Sequence, residues 1–227
     1  MTSVSEGTTS ERFTAALRST TWDDHEKAER TAYMEALLGG KLSVPGYVDL
    51  VAQHYFAYVV LEDAAEAMRD DPIGSKFVFD SLLRVRALEE DLEHLLGADW
   101  RDKVRPSEST KEYCDRMRAV CFDWAGGYIA HSYTRYLGDL SGGQVIRAAL
   151  ERAHPQELAD GKGVAFYYFP QISDFKAFKV EYRDRLDNAP WDEAEQQRVI
   201  NEALVAYQLN TKVLAELGHD LPRYLIA

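Results

Sequence analysis

An all-α fold of one domain is what this sequence predicts, and three observations carry that expectation. Apolar residues recur at the spacing of a helix face along most of the chain. A single short stretch, 164–169, reads as extended, and no partner strand for it is visible. The 227 residues, 46% of them hydrophobic, are enough for one sizeable core, and no repeat, low-complexity tract or linker divides them.

The elements follow in order. Residues 1–9 are small, polar and acidic, lack the basic and apolar regions of a signal peptide, and are expected to form a flexible N-terminus. Phe13, Leu17 and Thr21 recur every four residues and lead to His25, which sets the first helix. Gly39-Gly40 ends one helix, and Leu50, Val51, His54, Tyr55 and Tyr58 mark the stripe of the next. Further helices are expected at about 74–96, 110–125, 128–153, 173–188 and 192–217. Gly97 stops the first of these, and Asp71-Pro72 and Arg105-Pro106 lie between helices. The stretch 164–169, between Gly163 and Pro170, reads as an irregular apolar connection packed on the core. The domain is expected over 10–217, with a C-terminal tail over 218–227.

Charge and cysteine usage remove several function classes. The net charge is −12, which argues against nucleic acid as a partner because phosphate binding needs a basic surface. No apolar run nears the ~20 residues needed to span a bilayer, so no membrane partner and a cytoplasmic location are expected. Cys114 and Cys121 lie seven apart in a helical segment, about 10 Å between their α-carbons at the usual rise. That is too far for a disulfide, so both read as reduced, buried thiols.

The most informative segment holds Gly138, Gly142 and Gly143 within six residues, between flanks that are both helical in pattern. At about 1 kcal/mol per interior glycine, the local cost is roughly 3 kcal/mol, and something should offset it. Two explanations stand at this point. Gly138 and Gly142, spaced by four, could let another helix pack closely. Alternatively, a kinked helix could lay its backbone against a flat ligand. Arg135 and Asp139 share roughly the same face, and a packing seam would seldom bury both beside its glycines. Gly126-Gly127 reads as the break between two helices.

The run Tyr136-Leu137-Gly138-Asp139-Leu140-Ser141-Gly142-Gly143-Gln144 resembles the distal-helix signature of heme oxygenases. Further segments resemble the family in the same order: 21–29 the proximal helix, 55–62 the second long helix, 163–169 the aromatic stretch, and 178–183 the propionate-binding helix. The similarity covers roughly 10–217. It implies a multi-helical fold with heme held between a proximal and a kinked distal helix. By resemblance His25 is the axial ligand of the heme iron, and Glu29, one turn on, contacts its ring N–H and sets tautomer and basicity. Gly138 and Gly142, with Gly143 beside them, would line the distal face of the heme. Asp139, with Arg135 and Tyr55, would order a water network that delivers a proton to O2. Lys179, Arg183, Tyr133 and Arg18 would hold the propionates, although Arg18 stands where relatives often have lysine. Tyr207 and Leu214 match pocket-lining positions.

The activity so implied opens heme, at once cofactor and substrate, to biliverdin at the α-meso edge, releasing carbon monoxide and ferrous iron. O2 and electrons from an external reductase, a ferredoxin or a flavoprotein, are required. A monomer and a role in iron acquisition are expected. Two other classes compete. A ferritin-like di-iron bundle needs a pair of Glu-x-x-His motifs, of which Glu151-Arg152-Ala153-His154 supplies one, ending at Pro155. Asp91-Leu92-Glu93-His94 has aspartate in place of the glutamate. A heme carrier would use His25 and the cations yet have no need of Asp139.

Overall fold

A computed structural model describes residues 12–226, so the expected flexible segment 1–9 lies outside the described residues. The chain folds into helices α1 (Phe13–Glu29), α2 (Ala32–Leu38), α3 (Val44–Ala67), α4 (Val85–Leu96), α5 (Trp100–Lys103), α6 (Glu108–Val120), α7 (Ala125–Asp139), α8 (Gly142–Ala153), α9 (Phe175–Asp187), α10 (Glu193–His219) and α11 (Leu221–Tyr224). Among the described residues there is no sheet, only one isolated antiparallel bridge between Leu42 and Leu225.

Short polar side chains set several helix starts. Thr31 accepts from the Met34 amide, Ser107 from Thr110, Asp174 from Lys176 and Ala177, and Asp192 from Glu195. Each satisfies amides that have no partner inside their own helix. Pro45 sits in the first turn of α3, where its missing N–H costs nothing.

Two expected helices are divided. The segment 74–96 opens with 3-10 turns at Gly74–Phe77 and Asp80–Leu82, and only α4 is α-helical. Val78 and Phe79 between the turns are extended, and Phe79 sets its ring against Phe178 and Tyr182 of α9, at 5.0 and 5.7 Å between centroids. Tertiary packing of two aromatic-rich segments thus overrides the helical pattern. The segment 128–153 breaks into α7 and α8 at Leu140 and Ser141, the latter with φ −123° and ψ −88°. The stretch 164–169 is an irregular connection containing the 3-10 turn Ala165–Tyr167. Asp91 of α4 anchors it by accepting from the Ala165 and Phe166 amides at 2.7 and 2.8 Å.

The core is a single cluster in which α10 packs on α1, α6 and α7, and α3 on α4, α6 and α7. Buried polar groups tie these helices in register. Glu202 of α10 accepts from His131 of α7 at 3.0 Å and from Nε and one outer nitrogen of Arg116 of α6. The segment after α10 folds back as a strap: Ser43 donates its amide to Tyr224 at 2.7 Å, and Ile226 donates to Lys41 at 2.9 Å. Cys114 and Cys121 are buried free thiols, as expected. No helix among the described residues is long and apolar enough to cross a membrane.

Candidate functional site

Helix α1 carries His25 on its fourth turn. The imidazole stacks on Trp22, 5.7 Å between centroids, and meets Tyr207 of α10 edge to face, also at 5.7 Å. Its Nε2 lies 3.6 Å from Glu29 Oε1, and its Nδ1 is buried without a hydrogen-bond partner. A buried polar atom left unpaired is costly, so an imidazole held this way is prepared for a further contact. One nitrogen lies near a carboxylate and the other lacks a partner, so the ring has one nitrogen to spare for a metal and one for a supporting acid once it turns to present them.

The glycines of the α7–α8 break separate into two kinds. A Cβ built on Gly138 or Gly142 would meet nothing within 4 Å. A Cβ on Gly127 would stand 2.3 Å from the Val120 carbonyl oxygen, and one on Gly126 would stand 2.7 Å from Val199. Close helix packing therefore explains Gly126 and Gly127 at the start of α7 and does not explain Gly138 and Gly142, which border open space. Gly143 departs from expectation. It is buried, and its Cβ would meet the Tyr167 ring at 3.2 Å, so it lets the aromatic connection pack against α8 and does not line the open side.

Asp139, the last residue of α7, accepts a hydrogen bond from the Tyr58 hydroxyl of α3. Arg135, one turn earlier, donates to Asn210 Oδ1 of α10 at 2.6 Å and to His54 Nδ1 of α3 at 3.0 Å, and lies over the Tyr58 ring at 4.9 Å. Burial pushes the Asp139 carboxyl up to about 6, with Arg135, the Tyr58 hydrogen bond and Arg84 pulling the other way. Burial opposes charge on Arg135, but Tyr58, Tyr113 and Asp139 around it outweigh that and hold it above its ordinary value. Burial, and then Arg135, push His54 well below the usual histidine range, which keeps it a neutral acceptor.

Tyr55, expected in this network, is elsewhere. Its ring packs edge to face on Trp100 at 4.9 Å and against Phe56. Tyr58, three residues on and fully buried, takes the place beside Asp139. Both tyrosines belong to the stripe read from the sequence, and the turn between them decides which helix each meets. Tyr58, His54 and Asn210 are the residues that sequence reasoning did not assign. The first two were visible only as members of an apolar stripe, and Asn210 carried no local signal.

The cations gather at one edge. Tyr133 of α7 is raised by burial, less so because the Arg183 and Arg18 charges stand close. Lys179 of α9 donates to the Leu140 carbonyl at 3.3 Å and to Ser141 Oγ at 2.8 Å, bracing the break between α7 and α8. Burial and neighbouring Arg183 lower its ammonium. Arg18 lies over the Trp22 ring at 5.5 Å, and a groove between α1 and α9 is lined by Arg18, Trp22, Val180 and Arg183. The neighbourhood can receive carboxylates at this edge, a flat body at the glycines and a metal at His25. Leu214 is buried in the core. The di-iron alternative loses its histidines to structural bonds, His154 to the Leu42 carbonyl and His94 to that of Glu157. Among the described residues no group of three or more His, Cys, Asp or Glu could hold a metal ion.

A family model described as heme oxygenase matches residues 11–216. Heme oxygenase 1 of Nostoc sp. is 40% identical over 205 residues, which cover 90% of this chain and 85% of the relative. Heme oxygenase 1 of Gallus gallus is 36% identical over 209 residues, 92% of this chain and 70% of the relative. Among solved structures, heme oxygenase-1 from the cyanobacterium Synechocystis sp. PCC6803 in complex with heme superposes with a TM-score of 0.88 at 38% identity, covering 94% of this chain and 95% of that one. The heme oxygenase of Leptospira interrogans superposes with a TM-score of 0.86 at 33% identity, covering 91% of this chain and all of that one, 100%.

Proposed function

The chain belongs to the heme oxygenase family, and on that premise we propose that it binds heme and opens it with O2 and electrons from an external reductase, giving α-biliverdin, carbon monoxide and ferrous iron. The observation that carries this reading is the open space at Gly138 and Gly142 with the Asp139 carboxyl between them in sequence. Heme when bound supplies both the iron at which O2 is reduced and the ring carbon that is oxidised.

The protein's own work is holding, shaping and proton supply. His25 would hold the iron through an imidazole nitrogen, and Glu29, one turn on, would take the other and fix the tautomer of that ring. Gly138 and Gly142 add no side chain to the open space beside them, which would leave room there for O2. Arg18, Tyr133, Lys179 and Arg183 would hold the propionates by charge and hydrogen bonding, and would so orient the ring. Asp139 holds water. With its carboxyl at about 6 it is mostly ionised at neutral pH yet close enough to protonation to pass a proton on, and the Tyr58 hydroxyl keeps its Oδ2 in place. The electron donor is a ferredoxin or flavoprotein, the working form a monomer in the cytoplasm, and the physiological gain iron.

Titrating the protein with hemin and then adding reductant and O2 tests the reading. One equivalent should be taken up, and the Soret band should give way to the spectrum of biliverdin; a stable oxygenated complex would make the protein a carrier. Asp139→Ala should bind hemin as before and lose most biliverdin formation in a single turnover, by about a hundredfold, the usual scale for a positioned proton donor. An unchanged yield would remove Asp139 from the chemistry.

A further inference from the structure

His54 occupies a position that neither the ligand contacts nor the proton relay described above requires. Its imidazole lies in α3 one turn before Tyr58, 5.2 Å from the Phe166 ring, and its Nδ1 accepts from an outer nitrogen of Arg135. The other outer nitrogen of Arg135 goes to Asn210 of α10. Both ends of the guanidinium are therefore engaged by neutral acceptors, from two different helices. Among the described residues no ion pair joins Arg135 to Asp139, although the two stand one turn apart and Asp139 feels the Arg135 charge. An arginine free to choose would close on that carboxylate, since a bidentate pair is the strongest bond open to it.

We propose that His54 is a positioning residue: with Asn210 it tethers the Arg135 guanidinium over the Tyr58 ring and so keeps it from closing on Asp139 as an ion pair. The consequence falls on Asp139. Direct pairing with arginine lowers a carboxyl by about 1–3 units, and the oxygens so engaged are lost to water. Held at a distance, Arg135 only partly offsets the effect of burial, and Asp139 stays near 6. The remaining charged or titratable groups around Asp139 are Tyr58, Arg84, Tyr113, Tyr136 and Tyr167. The tyrosines are all held above their ordinary values, chiefly by burial, and stay neutral through the pH range in question. Arg84 is occupied with the carbonyls of Leu82 and Tyr168. Arg135 is thus the group whose movement would reset Asp139. The tether also holds throughout the working range, because His54 protonates only well below the usual histidine range.

This inference rests on the proposed role of Asp139, and its test can be read without heme. In the ligand-free full chain, the Asp139 carboxyl is titrated by carbon-13 NMR, assigned with Asp139→Asn. His54→Leu should lower the Asp139 midpoint by at least about one unit, a tenfold change in proton affinity. His54→Asn, whose amide oxygen can stand where Nδ1 stands, should keep it near that of the parent. Asn210→Ala, which cuts the second tether, should lower it too, and decides the matter if His54→Leu does not fold. With hemin bound, biliverdin yield in single turnover should fall in His54→Leu and return in His54→Asn. A folded His54→Leu whose midpoint equals that of the parent overturns the tether, as does an equal drop in His54→Leu and His54→Asn. Failure of the parent to take up hemin would instead sink the proposed function and leave the titration result standing.

Discussion

Gly138 and Gly143 stand five residues apart in one signature and have opposite surroundings. A methyl group on Gly138 enters open space, whereas one on Gly143 presses on the Tyr167 ring. Gly138 lies inside α7, where alanine is the better helix former by about 1 kcal/mol. Gly138→Ala should therefore raise the melting temperature of the ligand-free protein by roughly 2–4 °C, the scale for a chain of this size, as read by calorimetry. The same change should slow hemin turnover, because the added carbon occupies the distal side. A loss of stability, or full activity, would show that this glycine serves something other than ligand space. The sequence could tell that three glycines needed a reason, and the motif pointed to the ligand. It could not tell which glycine met which neighbour, since that depends on where the aromatic connection after α8 comes to lie. The same limit explains Tyr55 and Tyr58, two identical side chains on one stripe whose surroundings are set by α5 and α7.

At the scale of elements, α10 is held to α6 and α7 by one carboxylate. Burial alone would raise Glu202; its hydrogen bonds from His131 and Arg116 win and hold it at about 2, below its ordinary 4.5. His131 is itself lowered by burial, so it is neutral at neutral pH and acts as a donor to Glu202. Glu202→Ala leaves His131 and Arg116 without their shared acceptor and should cost about 3 kcal/mol in urea unfolding at pH 7. Glu202→Gln isolates the charge. A carboxyl whose folded value is depressed contributes fully above its unfolded value and loses that contribution as pH falls through the folded one. The gap in stability between the parent and Glu202→Gln should thus be full near pH 5 and shrink toward pH 2; a gap that stayed constant would contradict the charged pairing. Helix existence was readable from periodicity for α1, α3, α6, α9 and α10. The extended Val78-Phe79 pair was not, because aromatic packing with α9 creates it. The glycines announced a kink, but not that it would fall at Leu140 and Ser141, where Lys179 of α9 braces it.

Over the whole molecule, a chain of net charge −12 assembles a cationic edge from α1 and α9, far apart in sequence. Neither the total charge nor any local run of lysines announces that edge; only the family motif did. The strap after α10 also works at this scale. It pairs with residues 41–43, sets the Tyr224 hydroxyl on Asp49, and covers Gly46, whose Cβ would stand 2.7 Å from the Tyr224 Cβ. Removing 221–227 should lower stability by about 2 kcal/mol, the net worth of two or three such hydrogen bonds, and leave hemin stoichiometry at one. An unchanged melting temperature would mean that the strap rests on the surface without holding it.

The Tyr224–Asp49 contact also bears on the order of events during folding. Its partners are 175 residues apart along the chain, and closing so long a loop is unfavourable until the polymer between them has condensed. The clasp should accordingly close only after the core between its partners has condensed. Amide protection at Tyr224 and Ile226, followed by hydrogen exchange after dilution from denaturant, would serve as a clock for arrival at the native state.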